Sequence, residues 1–251
     1  MYVRQALAEN ILSICPLIEK GPTNEHILPI FLALLRDESS DVRLNLFKKL
    51  EDLGKVIGLE NLQQSIVPAL KELSEDKNWR IKESVIQQYP ALAKQLGEQF
   101  FTEKLLPFCL KWLSDSVYSI RQSALYNLRE LTRLFGSSWA EKHILKKIVE
   151  QKGDSNYLHR LTVLFGIAEL STVLHGEQIK KAFVPALQSM AKDKVPNIRL
   201  NVAKAILVIR KNKKGAAVDN QIESEVLAVL NDLRNDEDED VKFFTKKAIA
   251  A

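Results

Sequence analysis

Histidine, cysteine and clustered carboxylates would carry acid–base, nucleophilic or metal chemistry, and none of them is grouped here. His26, His143, His159 and His175 fall in separate stretches of the 251 residues. No Cys/His/Asp set has metal-ligand spacing, no glycine-rich phosphate loop follows a strand, and no Ser/His/Asp set can be assembled. Cys15 and Cys109 each sit in an apolar helical stripe, so they read as small buried residues of a reducing compartment. His159 takes a phase that elsewhere holds Ile or Val, which suggests a satisfied, half-buried histidine. The residues give no case for an enzyme, a cofactor or a metal.

The charges that do recur are periodic. Arg4, Arg43, Lys82, Arg121, Arg160 and Arg199 follow one another at 39 residues, and Lys242 comes 43 later. Asp37, Asp76, Asp115, Asp154, Asp193 and Asp236 each stand six residues before one of them. An arginine in the first turn of a helix faces the positive end of the macrodipole, and an aspartate at the turn can cap that helix and supply the counter-charge. Stacked repeats would align such pairs into a ladder, which reads as architecture and not as a catalytic row.

Two helices per period must position this ladder. Upstream of each aspartate, triplets such as Ile27, Phe31, Leu34 and Ile66, Leu70, Leu73 keep i, i+4, i+7 spacing. Downstream, sets such as Val42, Leu46, Leu50, Leu53 and Ile81, Val85, Tyr89, Leu92 form a second stripe. One pair cannot bury both stripes alone, so pairs must stack into a continuous core. The expected fold is all-α, an α-solenoid (superhelix) of about six helix pairs. Pro29, Pro68, Pro107 and Pro185, eight residues before the aspartates, should each bend a first helix. Bent first helix, aspartate turn and arginine-led second helix are features of HEAT repeats. The expected array is single, with an orphan second helix at 1–20 and repeats near 23–57, 61–96, 100–135, 139–174, 178–211 and 221–251. The orphan suggests the C-terminal piece of a longer array or an incomplete gene model.

Composition narrows the function classes. The excess of 36 basic over 32 acidic residues, net charge +4, is too small to argue for nucleic acid without a local patch. No apolar stretch is long enough to span a bilayer and no signal peptide is visible, so no membrane partner is expected. The expected location is cytoplasmic, with the nucleus as a second compartment. A four-residue insertion within 210–220, carrying Lys211, Lys213 and Lys214, reads as a solvated loop between repeats.

Recognition should lie where sequence departs from the repeat. The turns read DESSDVR, DKNWRIK, DSVYSIR, DSNYLHR, DKVPNIR and DEDEDVK. Trp79 beside Arg80, Val117 with Tyr118, Tyr157, and Val195 with Pro196 put large or apolar residues where a solvated turn prefers small polar ones. Such a row on one edge suits protein binding.

These turns, with EDKNWRIKESVIQQYPALAKQLGEQFF, LSDSVYSIRQSALYNL, GDSNYLHRLTVLF and PNIRLNVAKAI, resemble the scaffold (A, regulatory) subunit of protein phosphatase 2A along essentially the whole chain. The resemblance implies a horseshoe of HEAT repeats whose C-terminal repeats grip the serine/threonine phosphatase catalytic subunit through the intra-repeat turns. Regulatory B-type subunits would bind N-terminal repeats absent here. It thus assigns catalytic-subunit contacts to Trp79, Arg80, Val117, Tyr118, Asn156, Tyr157, Val195, Pro196 and Asn197, while the lysine-rich insertion near Lys213 departs from the family. One other reading remains, a HEAT adaptor of a nuclear-transport or chromosome-associated complex, while a helical-repeat hydroxylase or lyase fails. The balanced charge does not favour the first, and the absence of any His-Glu dipeptide counts against the second.

Overall fold

The apolar periodicity is realised as helix throughout a computed structural model that describes residues 1–47, 50–212 and 220–251. Among the described residues there is no β-strand. The chain divides into two compact units, Met1–Lys111 with Ser116–Ser123, and Trp112–Asp115 with Ala124–Ala251. Each is a stack of antiparallel helix pairs, and the fold class is an α-solenoid. Lys213 and Lys214 lie outside the described residues, whereas Arg210 and Lys211 continue the helix Pro196–Asn212 instead of opening a loop.

Both stripes are buried. Phe31, Ile66, Leu70, Leu105, Phe183, Leu187, Val226 and Leu230 line the first-helix side of the core, and Val42, Ile81, Ile120, Ile198 and Val202 the second-helix side. The fully buried Tyr89 packs edge-on against Phe101 at 5.8 Å. The N-terminal helix Tyr2–Asn10 differs, because Val3 is 83% and Leu7 43% exposed although they share the phase of Val42 and Leu46.

The first helices are deformed, but not by proline alone. In the repeats carrying Pro29, Pro68 and Pro185, a π-helical turn (Thr23–Ile27, Leu62–Ile66, Ile179–Phe183) precedes an α-helix in which the proline is near the start. Widening the ladder there suits a residue that lacks an N–H and crowds the carbonyl four residues back. The same π turn occurs at Glu141–Leu145, where Lys146 replaces the proline. At Pro107 the helix is interrupted outright, Glu98–Lys104 ending at Leu105 before Leu106–Lys111. Proline therefore fits a deformation that the repeat makes in any case.

Repeats are joined by Gly58, Gly97 and Gly136, 39 residues apart, with φ of 84°, 81° and 92°. A side chain is strained in that conformation, which is why glycine holds the phase. The next equivalent, His175, has an ordinary φ of −79° and needs no glycine.

Candidate partner-binding site

The second helices start at a fixed point, three residues after each aspartate. Ser40, Trp79, Tyr118, Tyr157, Pro196 and Glu239 are all first helical residues. The large side chains expected in the turns thus stand on the rigid first turn of a helix. What fixes the start is the aspartate, though not as the helix cap. Oδ1 of Asp37, Asp76, Asp154, Asp193 and Asp236 accepts the N–H two residues on (Ser39, Asn78, Asn156, Val195 and Asp238) at 2.7–2.9 Å, folding the turn. In three repeats the cap is the residue whose N–H the aspartate holds: Asn78 accepts from the N–H of Arg80 at 3.0 Å, Asn156 from that of Leu158 at 3.0 Å, and Asp238 from those of Asp240 and Val241. Asn156, expected as a contact residue, spends its side-chain oxygen on this cap.

The free carboxylate edge faces the preceding repeat. In the second unit Arg160 donates from Nε to Asp193 Oδ2 at 2.7 Å and from Nη2 to Oδ1 at 3.0 Å, and Arg199 makes the same fork with Asp236 at 2.7 and 2.8 Å. Their Nη1 groups donate to the backbone oxygens of Asp154 and Asp193, six residues back in their own repeats. Each arginine therefore stitches its own turn to the next. In the first unit Arg4 pairs with Asp37 at 2.6 Å, and Arg43 reaches Asp76 at 3.3 Å. Arg43 Nε is buried with no acceptor, so this rung is looser. The Arg199 hydrogen bonds hold Asp236 below the usual carboxylate range, and Asp236 raises Arg199 in return. Burial pushes Asp193 up, but Arg160 and the Val195 N–H more than offset it. Lys82, Asp115 and Arg121 also have polar or electrostatic partners.

Beside this frame, the first unit presents Trp79, half-buried, with the exposed Arg80 guanidinium stacked 4.6 Å from its ring centre. Tyr118, 48% exposed, has Arg121 at 5.7 Å from its ring, and Val117 before it is half-buried. In the second unit Tyr157 is 44% exposed, Val195 and Pro196 are half-buried and Asn197 is exposed. His159 Nδ1 lies 3.1 Å from Asp154 Oδ2, which ties the histidine to its own turn. Among the described residues no group of three His, Cys, Asp or Glu is placed to hold a metal ion, and no helix is long and apolar enough to cross a membrane.

A set of polar links between repeats escapes a reading of the turns alone. Arg36–Glu72, Lys111–Glu75, Arg129–Glu169 and Lys181–Glu141 join residues 36 to 40 apart at 2.6–3.1 Å. Their spacing near one repeat length is the signal the sequence carries for them.

Paired helices, aspartate turns and arginine stitches define a class, the HEAT-repeat solenoid. Residues 22–97 match the PPP2R1A-like HEAT repeat, and residues 105–135 match the HEAT repeat. The importin beta crystal structure shares the fold, with a TM-score of 0.65 over 90% of this chain and 30% of that one, at 12% identity.

Over part of its length the chain carries HEAT repeats like those of the regulatory A-type subunits of protein phosphatase 2A. It is 43% identical over 74 residues to the A-type regulatory subunit of protein phosphatase PP2A from Saccharomyces cerevisiae, a match covering 29% of this chain and 12% of the yeast protein. It is 44% identical over 55 residues to the beta isoform of the human 65 kDa A-type regulatory subunit of serine/threonine-protein phosphatase 2A, covering 22% and 9%. The matched segments are thus a small part of those relatives' own length.

Proposed function

We propose that this chain is a non-catalytic scaffold that binds the catalytic subunit of a phosphatase 2A-type serine/threonine phosphatase and helps assemble it with regulatory subunits. The observation that carries this reading is the Trp79–Arg80 stack on the first turn of its helix, inside the segment 22–97 that matches the PPP2R1A-like repeat. An indole and a guanidinium pre-ordered on a rigid helix start lose little entropy on binding, and tryptophan and arginine dominate interface energies. Tyr118 extends the contact in the first unit, and Tyr157, Val195, Pro196 and Asn197 provide the corresponding one in the second. The relatives' names as regulatory subunits support a phosphatase partner and a role without chemistry of its own. Holding two subunits on one chain would raise their effective concentration, so the work done is positional.

Affinity purification of the intact chain, followed by mass spectrometry, tests the partner class. A serine/threonine phosphatase catalytic subunit should lead the recovered proteins. Its absence from a preparation that recovers other partners would reject the reading.

A further inference from the structure

The first helices of the two repeats over 141–190 leave a groove between them, on a different element from the aspartate turns. It is a cavity of about 400 Å³ floored by Leu145, Val149, Ala182 and Pro185. Its charges are sorted. Glu141 is already engaged, accepting from Lys181 at 2.6 Å and from Gln178 Nε2 at 3.3 Å, and these bonds hold its carboxyl below the usual range. Lys146 and Lys152, both exposed, stand at the rim with no acidic partner among the described residues. Gln178 is buried, and its Oε1 receives no hydrogen bond.

We infer that this groove is a docking site for a short, extended, acidic–apolar peptide segment of a partner protein. Charge complementarity selects the occupant: two unpaired ammonium groups flank an apolar floor, and the one carboxylate in the groove is neutralised. Along the helix the lining runs from residue 141 to 152, about 16 Å at 1.5 Å per residue. An extended strand at about 3.3 Å per residue covers that length with five residues. Alternate side chains of such a segment point to the floor, where leucine-like groups fit, while carboxylates between them reach the rim lysines. The floor offers no aromatic ring on which a nucleobase could stack, which favours a peptide over single-stranded nucleic acid.

The probe is a fluorescein-labelled hexapeptide alternating aspartate and leucine, titrated by anisotropy against the intact chain. Saturable binding is expected, weakening as salt rises from about 0.05 to 0.3 M because the rim charges are exposed. Lys146→Glu with Lys152→Glu should lower the affinity at least tenfold while leaving the far-ultraviolet dichroism unchanged, since both side chains are in solvent. Absence of saturation by millimolar protein, equal binding to the charge-reversed variant, or equal binding of a lysine–leucine hexapeptide would overturn the proposal. So would tighter binding of an oligouridylate. None of these outcomes touches the Trp79 contact, so the two readings fail separately.

Discussion

Replacing Arg160 by alanine should be among the most damaging single changes to the array, because one side chain holds two turns. It removes the fork to Asp193 at 2.7 and 3.0 Å and the bonds to the carbonyls of Asp154 and Ser155 at 2.8 and 3.2 Å. The Asp193 carboxylate, with only 10% of its side chain exposed, keeps just the Val195 N–H. Breaking a buried pair from one side costs about 3–5 kcal/mol, because a charge is left without compensation. Slight solvent access to both partners places the expectation near the lower end, about 3 kcal/mol. The variant Arg160→Met with Asp193→Asn tests the mechanism. Asparagine can still fold the turn through its side-chain oxygen, and methionine leaves no buried charge, so the double variant should lose less than the sum of the singles by about 2 kcal/mol. Urea titration followed by circular dichroism, fitted with nearest-neighbour coupling between repeats, measures each quantity. Lys111→Ala, which opens a pair in free solvent, should leave the midpoint unchanged. A loss below about 1 kcal/mol for Arg160→Ala, or strict additivity in the double variant, would refute the stitch.

Three further outcomes follow from the same geometry. Asp193 and Asp236 are held below their ordinary values, so their stabilisation is present above the unfolded value of about 3.9 and lost as pH falls through the lower folded values. Thermal midpoints should therefore drop steeply below about pH 4, and less steeply in Asp236→Asn. Gly97→Ala meets nothing within 4 Å, so its cost is backbone strain alone, about 1–3 kcal/mol, measurable by urea titration. Asn78→Ala should cost about 1 kcal/mol by loss of the helix cap, and a loss above 2 kcal/mol would mean the asparagine does more than cap.

The two buried stripes are legible in the sequence because burial of one helical face writes itself as a 3.6-residue period. Val42, Leu46, Ile81 and Val85 occupy the core positions that their spacing implies. The ladder is legible as a period but not in its connections. Spacing pairs each aspartate with the arginine six residues on, whereas the Asp193 carboxylate bonds Arg160 of the repeat before, and the nearer Arg199 takes the Asp193 backbone oxygen. Local spacing carries no record of a partner 33 residues away. The π turns have no residue signature either, since Lys146 accompanies one as readily as Pro68 does another. The candidate side chains stand out by their departure from turn composition, but their place on the first helical turn depends on Asx turns at Asp76 and Asp154 that composition does not reveal.

The central claim, that the helix starts hold a phosphatase catalytic subunit, is met most directly by calorimetric titration of that subunit into the intact chain and into Trp79→Ala with Arg80→Ala. Saturable binding by the parent, weakened by at least about 2 kcal/mol in the variant with helicity retained, is the predicted result. No binding by the parent, or equal affinity in the variant, would contradict it.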